Sequence, residues 1–258
     1  MNRSVQDQLQ AVMGDPQYAV LRRSFEIYYG NPERDAAMDA LYGTFVRPGD
    51  LAFDIGSHVG DRIGAFRRLG ARVVAVEPQP ECLAAIRVLY GDDADVTVVE
   101  AACGRERGQL TLHINSANPT VSTASGEFIS AAAGAPGWEE QVWDRAITVE
   151  VTTLDHLIER FGEPKFAKID VEGFEADVLA GLTKAISSLS FEFTTIQRDV
   201  ALRCVDRLME LGSYRFNAAF GESQRLSLAR WVDGPRIKEF VRTLPHEANS
   251  GDIYAVLD

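Results

Sequence analysis

Leu51–Asp61, LAFDIGSHVGD, followed after ten residues by Arg72–Pro80, RVVAVEPQP, decides how this chain is read. Each stretch is a short apolar run closed by an acidic residue, Asp54 in the first and Glu77 in the second. Gly56 and Gly60 supply the conformational freedom for a tight turn into a helix. A buried strand, a glycine turn, a helix and a second buried strand make a crossover unit of a parallel sheet.

The same alternation continues to the end of the chain. The apolar runs are LAFDIG, ARVVAVEP, DVTVVEAACG, KFAKIDVEG, SLSFEFTT, YRFNAAF and DIYAVLD. Amphipathic stretches lie between them, such as Val59, Ile63, Phe66 and Cys82, Ile86, Leu89. We expect an α/β, Rossmann-like doubly wound sheet of seven strands. Residues 1–45 carry helical spacing (Leu21, Phe25, Tyr28) and read as a small N-terminal helical cap on a domain covering 46–258. Residues 108–114, GQLTLHI, and 146–152, AITVEVT, alternate apolar and polar positions. They predict an inserted β-hairpin joined by a 30-residue loop, a length typical of a lid or binding loop. Thr153 caps a helix with the stripe Leu154, Leu157, Ile158, Phe161.

Composition narrows the function. The 258 residues are 46% hydrophobic and 25% charged, and 38 acidic against 26 basic residues give a net charge of −12. That charge repels polyphosphate backbones, so nucleic acid is not expected as a partner. No apolar run approaches the roughly 20 residues of a membrane span, and MNRSVQDQLQ lacks a secretory apolar core. A cytoplasmic protein without membrane insertion is expected. Cys82, Cys103 and Cys204 form no CxxC pair, and neither a disulfide framework nor a zinc site is suggested.

Ligands of a doubly wound sheet bind outside the carboxyl ends of its strands. The G-x-x-x-G spacing of Gly56 and Gly60 meets the dinucleotide fingerprint only in part, and Asp54 stands where a pyrophosphate would be repelled. Glu77, at the next strand end, can accept both ribose hydroxyls. The pair suits S-adenosylmethionine, cationic and without phosphate, better than NAD. KIDVEGFE adds Asp170 and Glu172, two apart on a strand and so on one face, with Gly173 allowing the turn. Glu172 and Glu175 also suit a helix start, and for Glu175 that is the preferred reading. Asp170 and Glu172 are the candidate catalytic bases. Alternatively, with Glu192 of SFEFTT, they hold Mg²⁺. His58, His113, His156 and His246 receive no catalytic role. Asn118, Ser122, Thr123, Trp138 and Trp143 either contact a sugar or pack the loop.

Together FVRPGDLAFDIGSHVGD, VVAVEPQP, VVEAACG, TTLDHLI, KFAKIDVEGFEADVLAGL and SFEFT resemble the FkbM-type methyltransferases, a class I branch dependent on S-adenosylmethionine. The resemblance runs from about Phe45 to Thr195. It implies O-methylation of a small-molecule or saccharide acceptor, in natural products or glycans. It also implies that Asp54, Gly56 and Gly60 line the methionine part of the cofactor, Glu77 the ribose, and Glu100-Ala101-Ala102 the adenine, with Asp170 near the methyl. Ser57 and Pro78 join the cofactor-binding set as neighbours, although Ser57 and His58 depart from the small or amide residues the family more often carries. An NAD-dependent oxidoreductase would need a full glycine fingerprint and a Tyr/Lys or His/Asp pair; neither is found. A cofactor-binding scaffold without catalysis is the remaining alternative, and a homodimer is left open.

Overall fold

β1 (Leu51–Ile55) lies at the centre of a seven-stranded sheet. In the computed structural model residues 5–258 are described; residues 1–4 of the expected cap lie outside them. Three α-helices precede β1: α1 (Val5–Gly14), α2 (Arg22–Tyr28) and α3 (Pro32–Tyr42). Asn31 accepts from the Glu33 and Arg34 amides, and Pro32 follows as the first residue of α3, a favourable helix start.

After β1 come α4 (Asp61–Arg68), β2 (Arg72–Val76), α5 (Pro80–Tyr90) and β3 (Val96–Val99). The run expected as one strand over DVTVVEAACG breaks at Glu100-Ala101. Its end, β4 (Ala102–Cys103), leaves for a second sheet with β5 (Gly108–Ile114) and β6 (Arg145–Thr152). β5 and β6 pair antiparallel, with Leu112 opposite Ile147, as their alternation predicts. Between them lies α6 (Gly126–Ala132). The main sheet resumes with α7 (Leu154–Phe161), β7 (Phe166–Ile169), α8 (Glu175–Ala180), β8 (Ser188–Thr194), α9 (Arg198–Leu211), β9 (Tyr214–Phe220), α10 (Gly234–Thr243) and β10 (Ser250–Leu257).

The strand order is β3-β2-β1-β7-β8-β10-β9, with β10 antiparallel to both neighbours. The order reverses between β1 and β7, so their carboxyl ends flank the crevice where such sheets bind ligands. Both sheet faces are covered. Phe53, Ile55, Val74, Val76, Ala167 and Ile169 pack toward α7–α10. Ala52, Val73, Ala75, Phe166 and Tyr254 pack toward α1–α5, where Phe45 stacks on Phe166 at 4.9 Å and on Tyr254 at 5.8 Å.

Period-two alternation then places a polar row on that second face. Asp54 is in register with Lys168, and Lys168 with Ser190; Asp54 and Lys168 are two residues beyond the apolar Ala52 and Phe166 of the same face. Glu192, two further along β8, is opposite Asp252 of β10.

The loop between β5 and β6 has its own core. Phe128 is fully buried and meets Trp138 edge-on at 5.4 Å and Trp143 at 6.1 Å, while the Trp143 indole donates to the Val121 carbonyl at 2.8 Å. The tryptophans therefore pack the loop, which decides between the two readings of them. Paired amides and carbonyls of His113 and Thr123 (2.8 and 2.9 Å) fold the loop onto β5, and the Thr123 hydroxyl donates to the Glu172 carbonyl at 2.6 Å. Phe128 sits against Gly173, whose φ is +87° and where a Cβ would lie 2.7 Å from the ring. Gly173→Ala should therefore strain the backbone and push the loop off, at a cost of about 2 kcal/mol or more. The expected result is a lower melting temperature with faster amide exchange concentrated in residues 115–144.

Candidate active site

The ends of β1, β2 and β7 and the loop over them enclose a cavity lined by Gly56, Glu77, Ala101, Ala102, Asp170 and Glu172, among others. Gly56 is required there by geometry: its φ is +83°, and a Cβ would lie 1.8 Å from the Asp170 carbonyl oxygen, so the turn after β1 rests directly on the turn after β7. Pro78 lines the same cavity. Asp54 and Ser57 border an adjoining one with Asp170, Glu172 and Lys168. Ser57 donates its hydroxyl to the Asp54 carbonyl at 2.8 Å. A larger hollow of about 790 Å³ opens between α1 and α4, and it reaches none of Asp54, Glu77 and Asp170.

Two expected residues stand elsewhere. Glu100 turns to solvent, 2.7 Å from Arg87, because β3 ends one residue earlier and its side chain leaves the sheet edge. Only the small Ala101 and Ala102 face the cavity. Gly60 does not line it; with φ +84° it starts α4, pressed against the Tyr90 ring.

Burial sets the electrostatics. Asp54 is 1% exposed and its Oδ2 has no hydrogen-bond partner among the described residues. Burial, reinforced by Asp61, pushes its carboxyl up to about 7. Glu77 is equally buried and accepts from the His58 and Gln79 amides, both at 2.8 Å. Burial outweighs these bonds and raises it to about 7.

Lys168, inside β7 and 1% exposed, carries an ammonium 2.9 Å from Asp170 Oδ2 and 2.9 Å from Asp252 Oδ1. Burial works against its charge, but the two carboxylates hold it well above the usual lysine value. No motif marks it in the sequence, although a lysine in an otherwise apolar strand, FAKI, is the signal that finds it. Asp252, at the start of β10, was missed for the same reason.

Asp170 and Glu172 do not alternate on a strand as expected. β7 stops at Ile169 and both lie in the following turn, where Glu172 takes a left-handed φ of +55°. They still share the site, because the turn doubles back. Glu175 closes it, accepting from the Val171 and Gly173 amides at 3.0 and 3.2 Å, a structural role that agrees with its preferred reading. One carboxylate oxygen from each of Asp170, Glu172 and Glu192 lies within 4.8 Å of the others. Burial first, then Asp170 and Glu175, raises Glu172 well above the carboxylate range. Glu192 is raised in the same direction, by burial and then Glu172.

His58 is not solvent-facing. Its ring lies 2.8 Å from the Ser24 hydroxyl and 3.3 Å from that of Thr120, joining the N-terminal helices to the loop, and burial lowers its pKa to about 4. His246, for which the sequence offers no partner, lies 2.9 Å from the Pro136 carbonyl. At the rim Arg34 bridges Asp61 at 2.7 Å and Glu222 at 2.6 Å, while Arg62 reaches Glu222 at 3.0 Å. Burial would raise the Glu222 carboxyl, yet the two arginines hold it down to about 2.

Comparison with known proteins follows this geometry. The hexuronic acid methyltransferase AglP of Haloferax volcanii is 27% identical over 164 residues, which cover 62% of this chain and 61% of that protein's length. The match thus spans less than two thirds of that relative. Among solved structures, precorrin-6Y C5,15-methyltransferase from Geobacter metallireducens aligns at 14% identity and a TM-score of 0.46, covering 89% of this chain and 90% of its own. An O-methyltransferase from Bacillus cereus aligns at 12% and 0.46, covering 98% and 91%. Residues 54–216, more than half of the chain, match the methyltransferase FkbM domain, and the protein belongs to that family.

Proposed function

We propose that this chain is an S-adenosylmethionine-dependent O-methyltransferase acting on a hydroxyl of a small molecule, with a saccharide the favoured acceptor. The observation that carries the reading is the unpartnered, buried Asp54 oxygen at the end of β1, one strand away from the Glu77 carboxylate at the end of β2. A buried carboxylate oxygen without a donor is costly, and a cationic, donor-rich ligand relieves it. The residues therefore fit this cofactor. Asp54 would receive its cationic methionine end, Glu77 its ribose hydroxyls, and Ala101-Ala102 its adenine. Glu77 already accepts two amides, but each carboxylate oxygen has a second lone pair to offer. Similarity to a hexuronic acid methyltransferase supports the saccharide acceptor.

When bound, the cofactor supplies a methyl on a positively charged sulfur for in-line transfer to an acceptor oxygen. The chain's own contribution is alignment and removal of the acceptor proton. The Asp170–Glu172 pair is assigned the proton, since both border the cofactor cavity and the cavity beside it. Asp170 is fixed by Lys168, while Glu172, raised by burial and its acidic neighbours, is the stronger base once ionised.

Calorimetry should show S-adenosylmethionine and S-adenosylhomocysteine binding without NAD binding. Glu77→Gln turns an acceptor into a donor facing donors and should weaken both at least tenfold; unchanged affinity would sink the ribose assignment. Asp54 and Glu77 must ionise to receive this ligand. Its affinity should therefore rise from pH 6 to 8, by up to about tenfold per pH unit for each carboxyl, and level off above. A flat profile would contradict the roles given to both.

Stability should move the other way. The folded chain keeps protons at Asp54 and Glu77 up to about pH 7 that the unfolded chain releases near its ordinary values of 3.8 and 4.5. Their contribution is complete below those values and is lost as pH rises through 7, at no more than about 1.4 kcal/mol per unit and group. His58 opposes this below its ordinary value of 6.5. The cofactor-free melting temperature should thus fall as pH rises toward 7 and level off above it, and added S-adenosylmethionine should flatten the fall.

A further inference from the structure

We infer that Asp170, Glu172 and Glu192, with the Gln197 amide on the Glu192 side, form a divalent-cation site of the magnesium–calcium class next to the cavity that Asp170 and Glu172 line. This deepens the methyltransferase reading and rests on it for its role, although not for its test.

Geometry is the first support. The three carboxylate oxygens lie within 4.8 Å of one another. Oxygens on opposite sides of a Ca²⁺ at about 2.4 Å are separated by about 4.8 Å, and around Mg²⁺, at about 2.1 Å, by about 4.2 Å. The spacing of the three oxygens is of the size that a shared ion of this class spans. Its donors are all oxygens, which favours these ions over zinc or copper.

The unpartnered polar groups are a second and independent support. Glu172 is 8% exposed, and its carboxylate enters no hydrogen bond or ion pair among the described residues. Glu192 Oε2 is buried without a partner. Gln197, which is not an acid, is 6% exposed; its Oε1 is likewise unpartnered and opens on the same small cavity as Glu192, beside Gly173. An amide oxygen left without a donor next to a carboxylate left without a cation is an arrangement that a metal ion completes.

Charge is the third. Lys168 is the ammonium touching this cluster, and it is already shared between Asp170 and Asp252. Ionised together, the three acids would leave buried negative charge uncompensated. A divalent cation offsets it, and its remaining coordination positions would face the acceptor cavity that Asp170 and Glu172 also line. A hydroxyl ligated there is aligned and acidified; with Asp170 and Glu172 engaged as ligands its proton passes to solvent, which replaces the base role given to the pair for the ion-free site.

The test is titration of the full chain, without cofactor or acceptor, with Mg²⁺ and Ca²⁺ by calorimetry and with Mn²⁺ by electron paramagnetic resonance. One site per chain is expected for each ion. Glu192→Gln should weaken it at least tenfold, and Gln197→Leu, which leaves every acid in place, several-fold; melting curves would verify both folds. No binding up to 10-fold the usual millimolar cation level, or equal affinity in both variants, would overturn the site. S-adenosylmethionine binding measured separately keeps the two ideas apart, since its failure would remove the methyltransferase reading and leave the cation result standing.

Discussion

The ammonium of Lys168 is the point on which the polar half of this protein depends. It is buried on the central strand pair, and a charge there persists only because Asp170 and Asp252 meet it from either side. Removing one partner leaves an uncompensated buried charge, which is far more damaging than the pair itself is stabilising. The interaction also has a structural reach. Asp252 belongs to the antiparallel strand β10, two positions across the sheet from β7, and the small Ser190 between them leaves room for the lysine to span β8. One cation thereby fixes the turn carrying Asp170 and Glu172 to the strand inserted last into the sheet.

From that anchor the acidic site can be understood as a gradient. Asp54 and Glu77 are each surrounded by protein and partly relieved, the first by nearby cationic groups and the second by two backbone amides. Glu172 and Glu192 are relieved only by the Lys168 charge, which their burial and acidic neighbours outweigh, and are the most strongly displaced of the group. At the rim, by contrast, Arg34 and Arg62 are matched by Asp61 and Glu222, so the wall is close to neutral while the floor is acidic. A site with that polarity draws positive charge inward.

Much of this was legible in the sequence because it obeys short-range rules. Strands buried on both faces read as continuous apolar runs, and the glycine turn after β1 marks its own ligand edge; Asp54, Gly56, Glu77 and Asp170 follow from that, while Ala101 came from the family resemblance alone. The hairpin β5–β6 was visible through strict alternation. What escaped depends on contacts distant in sequence. Lys168 and Asp252 are 84 positions apart and meet only across the sheet. Glu100 was misplaced because the strand's last residue sets where the next side chain points, and a one-residue shift reverses it. His58 looked like a turn residue until the N-terminal helices and the loop closed on it from both sides.

The segment between β5 and β6 hangs from a side sheet, carries its own aromatic centre, and touches the turn after β7 through a hydroxyl of Thr123. It is therefore a replaceable roof. Nature or an engineer can recast residues 115–144 to admit a wider or narrower acceptor while the seven-stranded frame below stays unaltered. What any replacement must retain is the hydroxyl at Thr123, since the carbonyl it holds belongs to Glu172, and letting it go would loosen the roof and the turn after β7 together.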